Sequence, residues 1–239
     1  MFEFLLPRRR RVNRAQLPIL VIAGMKQEAA CVAGAGVMVL CSGADPTRLR
    51  ASLDELATKE LGVVVSFGLA GGLDPALRPG DVVVADRIVA GNATFPTHPE
   101  LMTALADMAQ QATTGAIAGA DAPVMDGEAK AALRAGSSAR AVDMESHIAA
   151  AYAQKRKIPF GALRVVCDPA ERALPALAAK AITPSGDIDG GYIARSLLRE
   201  PGQIAGLIRA GLDSRAAFAT LGRVGPLLGP QLRLVLAGL

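Results

Sequence analysis

The segment VVVSFGLAGGLDPALRPGDVVVADRIV occupies residues 63–89 and contains two valine-rich runs separated by glycines and prolines. Continuous apolar runs of this kind are typical of strands that are buried on both faces of a sheet. The segment therefore predicts strands over residues 63–67 and 81–89. A glycine-rich loop over residues 68–73 and a turn at residues 77–80 should join them.

Similar apolar runs lie on both sides of this segment. Residues 17–24 and 37–41 predict two earlier strands, and residues 160–167 predict a later strand that ends at Asp168. Asp45 supplies the N-cap of a helix that begins with a proline. The other predicted elements are strands near 116–120 and 140–144 and helices near 45–61, 99–112, 127–135, 145–157, 192–198 and 203–221.

The alternation of strands and helices predicts one α/β domain over residues 1–239, with helices on both faces of a mixed central sheet in a three-layer α/β/α arrangement. We expect a basic N-terminal extension over residues 1–16 and a helical C-terminal extension over residues 199–239. Residues 169–190, which are rich in alanine, proline and glycine, predict a mobile loop beside Asp168.

The composition limits the classes of function. Hydrophobic residues make up 51% of the chain and aromatic residues only 3%, so aliphatic side chains must build the core. The three cysteines and two histidines have no metal-ligand spacing, so we expect no metal site. Unpaired cysteines favour a reducing cytoplasm. No apolar run has the length of a transmembrane helix, and the first residues lack the order of a secretory signal.

The net charge of +4 is concentrated at the two ends of the chain. Five arginines lie within residues 1–16 and six within residues 195–239. The basic runs lack interleaved aromatic residues, which disfavours nucleic-acid binding. Two interpretations stay open. In the first, the ends are solvated or pack on the protein itself. In the second, the basic N-terminal run and the amphipathic C-terminal segment hold the protein against anionic lipid.

Four short segments place glycines or charged residues directly after predicted strands. They are residues 24–28, 68–72, 142–145 and 164–168. Ligands of open α/β sheets bind beyond the carboxyl ends of the strands. Taken alone, each segment has an ordinary explanation as a turn or a helix cap. The order and spacing of the four segments together are much more specific.

As a set, these segments resemble the purine/uridine phosphorylase superfamily, and within it the methylthioadenosine nucleosidase-like branch. The resemblance covers roughly residues 17–200. The matching motifs are Gly24-Met25-x-x-Glu28, Ala70-Gly71-Gly72 followed by Pro79-Gly80-Asp81, Val142-Asp143-Met144-Glu145, and Arg164 with Cys167-Asp168.

This resemblance implies an enzyme that cleaves the bond between a purine and its ribose. Asp168 would be the acid that protonates the leaving base, a role that contributes a factor of about 10²–10⁴ in rate. Glu28 would orient a water molecule, and Glu145 would accept hydrogen bonds from the ribose hydroxyls. Arg164 would lie beside Glu28 or hold a phosphate nucleophile. The remaining residues expected to contact substrate are Met25, Ala70, Gly71, Gly72, Val124, Asp143 and Met144.

A narrower resemblance is to the hopanoid-associated phosphorylases of bacteria. It rests on GLAGGLDPALRPGDVVV at residues 68–84, CDPAERALP at 167–175 and SLLREPGQIAGLIRAGLDSRAAFATL at 196–221. It implies that the substrate is adenosylhopane, which would be cut to adenine and a ribosyl or phosphoribosyl lipid. It implies no cofactor other than phosphate as a co-substrate, and at least a homodimer.

Four positions depart from the superfamily pattern. Asp143 stands in place of the first glutamate of the Val-Glu-Met-Glu element, which is a mild change. Leu69 replaces a hydroxyl residue that contacts the nucleophile, Pro123 replaces an aromatic that stacks on the base, and Cys167 replaces a serine. The sequence leaves hydrolysis and phosphorolysis both open. It also leaves open a soluble substrate, methylthioadenosine or adenosylhomocysteine, and a non-catalytic nucleoside-binding protein. A Rossmann oxidoreductase is disfavoured because the first strand precedes no G-x-G-x-x-G. We expect a cytoplasmic protein, with contact to the inner membrane left open.

Overall fold

The computed structural model describes residues 14–34, 36–173, 183, 185–199 and 201–239. The strands are β1 Ile19–Ala23, β2 Met38–Cys41, β3 Val63–Gly72, β4 Val82–Ala90, β5 Ala93–Pro96, β6 Thr113–Gly119, β7 Ala141–Asp143 and β8 Phe160–Asp168. The α-helices of these described ranges are α1 Lys26–Val32, α2 Pro46–Glu55, α3 Pro99–Ala109, α4 Gly127–Ser137, α5 Ser146–Arg156, α6 Gly190–Arg199 and α7 Ile204–Gly238. Short 3-10 helices cover Arg14–Gln16 and Pro201–Gln203.

Strand β3 organises the sheet. It pairs in parallel with β1 and β8, and its last two residues pair antiparallel with β7. Strand β8 also pairs antiparallel with β4, and β6 joins β4 to β7. Strands β3, β8, β4, β6 and β7 therefore close into a ring from which β1 and β2 extend. The carboxyl ends of β1, β3 and β8 consequently meet at one edge.

Helices cover both faces of the sheet, which confirms the predicted three-layer α/β/α class. Leu49 of α2 and Ile148 of α5 belong to the core on one face. Leu105 of α3 and Leu221 of α7 belong to the core on the other face. The predicted cap of α2 is present, since the Asp45 carboxylate accepts hydrogen bonds from two backbone N–H groups of the first turn.

Helix α7 extends beyond its predicted end at residue 221 and runs through two prolines to Gly238. A proline inside a helix costs about 3 kcal/mol. The helix nevertheless buries an aliphatic stripe against the sheet, and each such side chain contributes about 1.5–3 kcal/mol. The stripe comprises Leu221, Val224, Leu228, Leu232 and Leu236. In contrast, no residue between positions 204 and 216 is buried.

Several predicted boundaries were wrong. The loop expected over residues 68–73 is mostly strand, because β3 stays paired with β8 as far as Gly71 and Asp168. Helix α2 ends at Glu55, before residue 61, and β6 begins at Thr113, before residue 116. The sequence analysis also missed β5. Residues 1–13, 174–182 and 184 lie outside the described ranges, so most of the predicted basic extension and much of the predicted mobile loop are not covered.

Candidate active site

A cavity of about 770 Å³ opens at the edge where β1, β3 and β8 end. Two of the predicted site residues do not line it. The guanidinium of Arg164 is fully buried behind the cavity, and Gly72 faces the backbone of Asp168 and the side chain of Val166. The predicted residues that do line the cavity are Met25, Glu28, Ala70, Gly71, Val124, Asp143, Met144, Glu145 and Asp168.

Glu28 lies in the first turn of α1, and its carboxylate accepts backbone hydrogen bonds both from the residues that follow β1 and from β3. One carboxylate oxygen accepts hydrogen bonds from the backbone N–H groups of Gly24 at 2.6 Å and Met25 at 2.8 Å. The other accepts one from the backbone N–H of Leu69 at 2.8 Å. Burial raises the pKa of Glu28, while the charge of Arg164 and the three backbone donors oppose that rise. Glu28 is thus a buried carboxyl group held in one orientation.

Gly24 and Gly68 must be glycines, because the carboxylates of Glu28 and Glu145 occupy the space that a Cβ atom would need. A Cβ atom on Gly24 would lie 2.8 Å from Oε1 of Glu145 and 3.2 Å from Oε2 of Glu28. A Cβ atom on Gly68 would lie 2.7 Å from Oε1 of Glu28. Real Cβ contacts are longer than this, so any side chain would push the carboxylates out of place. These glycines therefore make room for the acidic residues of the site, and Gly68 does so within a strand.

Arg164 of β8 is the fully buried cation around which the acidic residues gather. Its Nε lies 2.5 Å from Oδ2 of Asp143, and its Nη2 lies 3.3 Å from Oε2 of Glu145. Nη2 also donates to the hydroxyl of Ser66 at 2.5 Å, and Nη1 donates to the carbonyl of Leu69 at 3.2 Å. Each nitrogen of the guanidinium already has a protein partner, which leaves Arg164 poorly suited to hold a phosphate.

Glu145 precedes the first residue of α5, one position outside the helix that the sequence predicted to include it. Burial raises its pKa to about 8 against the opposing charge of Arg164, and the neighbouring charges of Asp143 and Glu28 add to the rise. Burial lowers the pKa of Arg164, but the charges of Asp143, Glu145 and Glu28 outweigh burial and raise it overall. The cluster therefore keeps a proton on Glu145 near neutral pH.

Asp168 ends β8 next to an irregularity in the strand pairing. Val166 pairs with Ala70, whereas Asp168 pairs with Gly71, so Cys167 is the extra residue of a bulge. A bulge of this kind changes the direction of the side chains that follow it. The Cys167 thiol donates to Oδ1 of Asp168 at 3.0 Å. Burial and then the charge of Asp168 raise the pKa of Cys167 well above its usual range, so the thiol stays protonated.

Lys130 of α4, which no sequence pattern predicted, forms an ion pair with Oδ2 of Asp168. The Lys130 side chain is 1% exposed. Its ammonium also donates to the carbonyls of Pro169 at 2.9 Å and Arg172 at 3.1 Å. A single lysine in a short, mixed helix has no spacing that separates it from a surface lysine. Only the packing of α4 against the end of β8 reveals it.

A second part of the cavity is apolar and comes from α6, α7 and the segment just before α6. We call this part of the lining the apolar exit; it comprises Ile188, Ile193, Leu207, Ala210 and Phe218. Gly211, Ser214 and Arg215 of α7 also contact the cavity there. The exit therefore joins the carboxylate cluster to the part of α7 in which no residue is buried.

Neither a metal site nor a membrane span is found in the part of the chain that the structure describes. No group of histidine, cysteine and acidic side chains there is arranged to hold a metal ion. No helix there combines the length and the apolar character needed to cross a bilayer.

The sequence pattern of the phosphorylase superfamily matches residues 21–184, well over half of the chain. This chain belongs to the phosphorylase superfamily. It is an enzyme that cleaves N-glycosidic bonds, as the sequence predicted, and not a non-catalytic nucleoside-binding protein. The matched region contains the acidic cluster, Lys130 and Asp168, but ends before the helices that form most of the apolar exit.

Solved structures with the same fold include several nucleosidases. The 5′-methylthioadenosine/S-adenosylhomocysteine nucleosidase of Neisseria meningitidis, in complex with methylthio-immucillin-A, has a TM-score of 0.66 at 18% identity, covering 91% of this superfamily member and 99% of that chain. The S-adenosylhomocysteine nucleosidase of Streptococcus pyogenes has a TM-score of 0.60 at 18% identity, covering 83% and 97%. The futalosine hydrolase of Helicobacter pylori has a TM-score of 0.60 at 18% identity, covering 77% and 98%. These likenesses confirm the predicted mixed α/β fold.

Proposed function

We propose that this enzyme hydrolyses the N-glycosidic bond of an adenosyl nucleoside that carries an apolar group. Adenosylhopane, the substrate implied by the narrower sequence resemblance, is the specific candidate. The observation that carries the proposal is the composition of the cavity. Glu28, Glu145 and Asp168 line one part, and the apolar exit lines the other. A nucleoside with a long apolar substituent matches both parts.

The acidic residues divide the reaction between them. Departure of the purine leaves an electron-poor ribose, so protonation of the base and negative charge near the ribose both lower the barrier. Asp168 delivers the proton to the base. In its ionised form, which the raised pKa makes the minor form near neutral pH, Glu145 accepts hydrogen bonds from the ribose hydroxyls and stabilises the positive charge that develops on the sugar. Glu28, held by three backbone N–H groups, orients the attacking water.

The charge balance favours water over phosphate as the nucleophile. Among the described residues, Arg164 and Lys130 are the only cations that pair with the acidic residues of the site. Arg164 pairs with Asp143 and Glu145, and Lys130 pairs with Asp168. Leu69 offers no hydroxyl to a phosphate. Arg215 lines the cavity from α7, together with the apolar exit. A phosphate dianion would thus approach several carboxylates without a free basic partner beside them, and such like-charge contacts are unfavourable.

Soluble thioether nucleosides are the second candidate substrates. The names of the structures from Neisseria meningitidis and Streptococcus pyogenes describe nucleosidases for methylthioadenosine or adenosylhomocysteine, with the same fold as this enzyme. A methylthio group, however, would fill little of the apolar exit. The two candidates therefore predict different preferences between a lipid nucleoside and a small nucleoside.

We expect adenine release from adenosylhopane in detergent micelles to exceed release from methylthioadenosine at equal concentration, because only the lipid fills the apolar exit. We also expect no dependence on phosphate. Measuring adenine release from each substrate, with and without phosphate, tests the substrate preference and the phosphate independence together. Release from methylthioadenosine alone would refute the lipid substrate, and a strict phosphate requirement would refute hydrolysis. Failure to release adenine from either would refute the proposed function.

We propose further that the enzyme contacts an anionic membrane through the first half of α7. Ile204, Ile208 and Leu212 recur every four residues on one helical face, and their exposed fractions are 43%, 59% and 61%. Arg199 and Arg209 are exposed nearby, and neither has an ion pair with a described residue. Apolar side chains flanked by arginines are typical of surfaces that bind anionic lipid. We also expect a homodimer, and membrane contact through α7 does not depend on it.

Replacing Ile208 with Asp is expected to reduce binding to phosphatidylglycerol vesicles at least about fivefold, because it places a negative charge on the exposed apolar face of Ile204, Ile208 and Leu212. Leu234→Asp is the matched control, since Leu234 is 70% exposed near the far end of the same helix. Vesicle flotation measures binding, and adenine release from the preferred substrate in detergent should stay unchanged in both variants. Equal binding by Ile208→Asp and the unmodified enzyme would contradict membrane contact through this face.

A further inference from the structure

We propose that Lys130 orients Asp168 and supplies, through it, the proton that the leaving base takes up. This inference rests on the proposed function of Asp168. It concerns a residue for which neither motif nor spacing gave any sign. The observations that carry it are the burial of the lysine and the three acceptors that surround its ammonium.

The contacts of Lys130 fix the carboxylate and its surroundings together. The ammonium is paired with Oδ2 of Asp168 and with the backbone carbonyls of Pro169 and Arg172, which directly follow β8. Its three N–H donors therefore match three acceptors, and water has almost no access to it. Oδ1 of Asp168 accepts from the Cys167 thiol, so neither carboxylate oxygen is free to rotate away. Asp168 is held at the cavity by partners on both of its oxygens.

The same pairing explains how an ionised aspartate can act as an acid. An ion-paired carboxylate has no proton of its own to give, but the ammonium beside it has one. We infer that a proton passes from Lys130 to Asp168 and from Asp168 to a ring nitrogen of the base as the C1′–N9 bond breaks. The electron pair of that bond moves to the purine, which leaves as neutral adenine. Water forms the new bond to C1′ and loses a proton, and after adenine leaves, a proton returns through the Asp168 carboxylate to restore the Lys130 ammonium.

A comparison of two leaving groups tests this step in the full-length enzyme. Adenosylhopane in detergent needs a proton on its leaving base, whereas 4-nitrophenyl β-ribofuranoside releases a stable phenolate without one. We expect Lys130→Met to lower kcat for the nucleoside at least about thirtyfold more than kcat for the nitrophenyl riboside. Equal losses on both substrates would mean that Lys130 has only a structural role, and would overturn the proposal.

Two further variants separate proton supply from charge. Lys130→Arg retains a positive charge, but a guanidinium does not give up its proton. It should therefore be as defective on the nucleoside as Lys130→Met, and near-normal turnover by Lys130→Arg would overturn the proposal. In Lys130→Ala, propylamine should restore nucleoside cleavage, because a free amine can occupy the space and carry the proton. Absence of rescue in a variant with a normal Tm would count against the proposal. If the unmodified enzyme releases no adenine, the proposed function itself has failed.

Discussion

Asp168→Asn is expected to lower kcat for adenine release at least about a hundredfold, while KM for the nucleoside changes by less than about threefold. Asparagine has nearly the shape of aspartate and can still donate a hydrogen bond to a ring nitrogen of the base. It cannot transfer a proton, so the base must leave as an anion. The loss should therefore appear in the chemical step. Steady-state kinetics of adenine release, together with the affinity for an uncleaved nucleoside analogue, distinguish these effects.

Asp86→Asn is the matched control for this variant. Asp86 lies on β4, is 39% exposed and pairs with its neighbour Arg87, so the same chemical change there removes only a surface charge. The Tm of both variants should be measured as well, because Asp168→Asn leaves the buried ammonium of Lys130 without its carboxylate. Full turnover by Asp168→Asn would show that another group protonates the base.

The acidic residues of the site were predictable because they follow strands. Asp168 ends one buried apolar run and Glu28 lies in the turn of helix that follows another, and parallel strands bring such ends to one edge. The resemblance of the motifs then assigned roles that periodicity alone does not give. The mixed sheet was also predictable from the alternation of strands and helices. Its closure into a ring was not, since that depends on β8 pairing with β3 and β4 at once.

Features that depend on contacts between distant segments escaped prediction. Gly68 looked like part of a turn, whereas the Glu28 carboxylate occupies the space where its side chain would stand. Lys130 has no sequence feature that separates it from a surface lysine, and its burial appears only when α4 meets the end of β8. Arg164 was expected beside the nucleophile. The charge of Arg164 does act on Glu28, but its ion pairs with Asp143 and Glu145 depend on contacts between distant segments and were not predicted.

Glu145→Gln is expected to lower kcat/KM for the nucleoside at least about a hundredfold. In the ionised form that binds the ribose, hydrogen bonds to the Glu145 carboxylate contribute about 1.5–3 kcal/mol each, and two ribose hydroxyls would lose such a partner. Glutamine offers one acceptor oxygen, and its amide group faces the sugar as a donor. Glu55→Gln is the matched control, because Glu55 is exposed at the end of α2. A Glu145→Gln variant with normal kcat/KM would refute the role of Glu145 in binding ribose.

The same variant should change how stability depends on pH, because the pKa of Glu145 is raised to about 8 in the folded protein. A carboxyl group with a raised pKa binds its proton more tightly when folded than when unfolded. Its contribution to stability is therefore complete below its unfolded pKa and is lost as pH rises to about 8. Between pH 7 and pH 9 the unmodified enzyme should lose about 1 kcal/mol from this group. Glutamine cannot ionise, so the Tm of Glu145→Gln should fall less over this interval, whereas that of Glu55→Gln should follow the unmodified enzyme. Parallel Tm curves for Glu145→Gln and the unmodified enzyme would mean that Glu145 is already ionised at neutral pH, and that the carboxylate cluster holds its proton elsewhere.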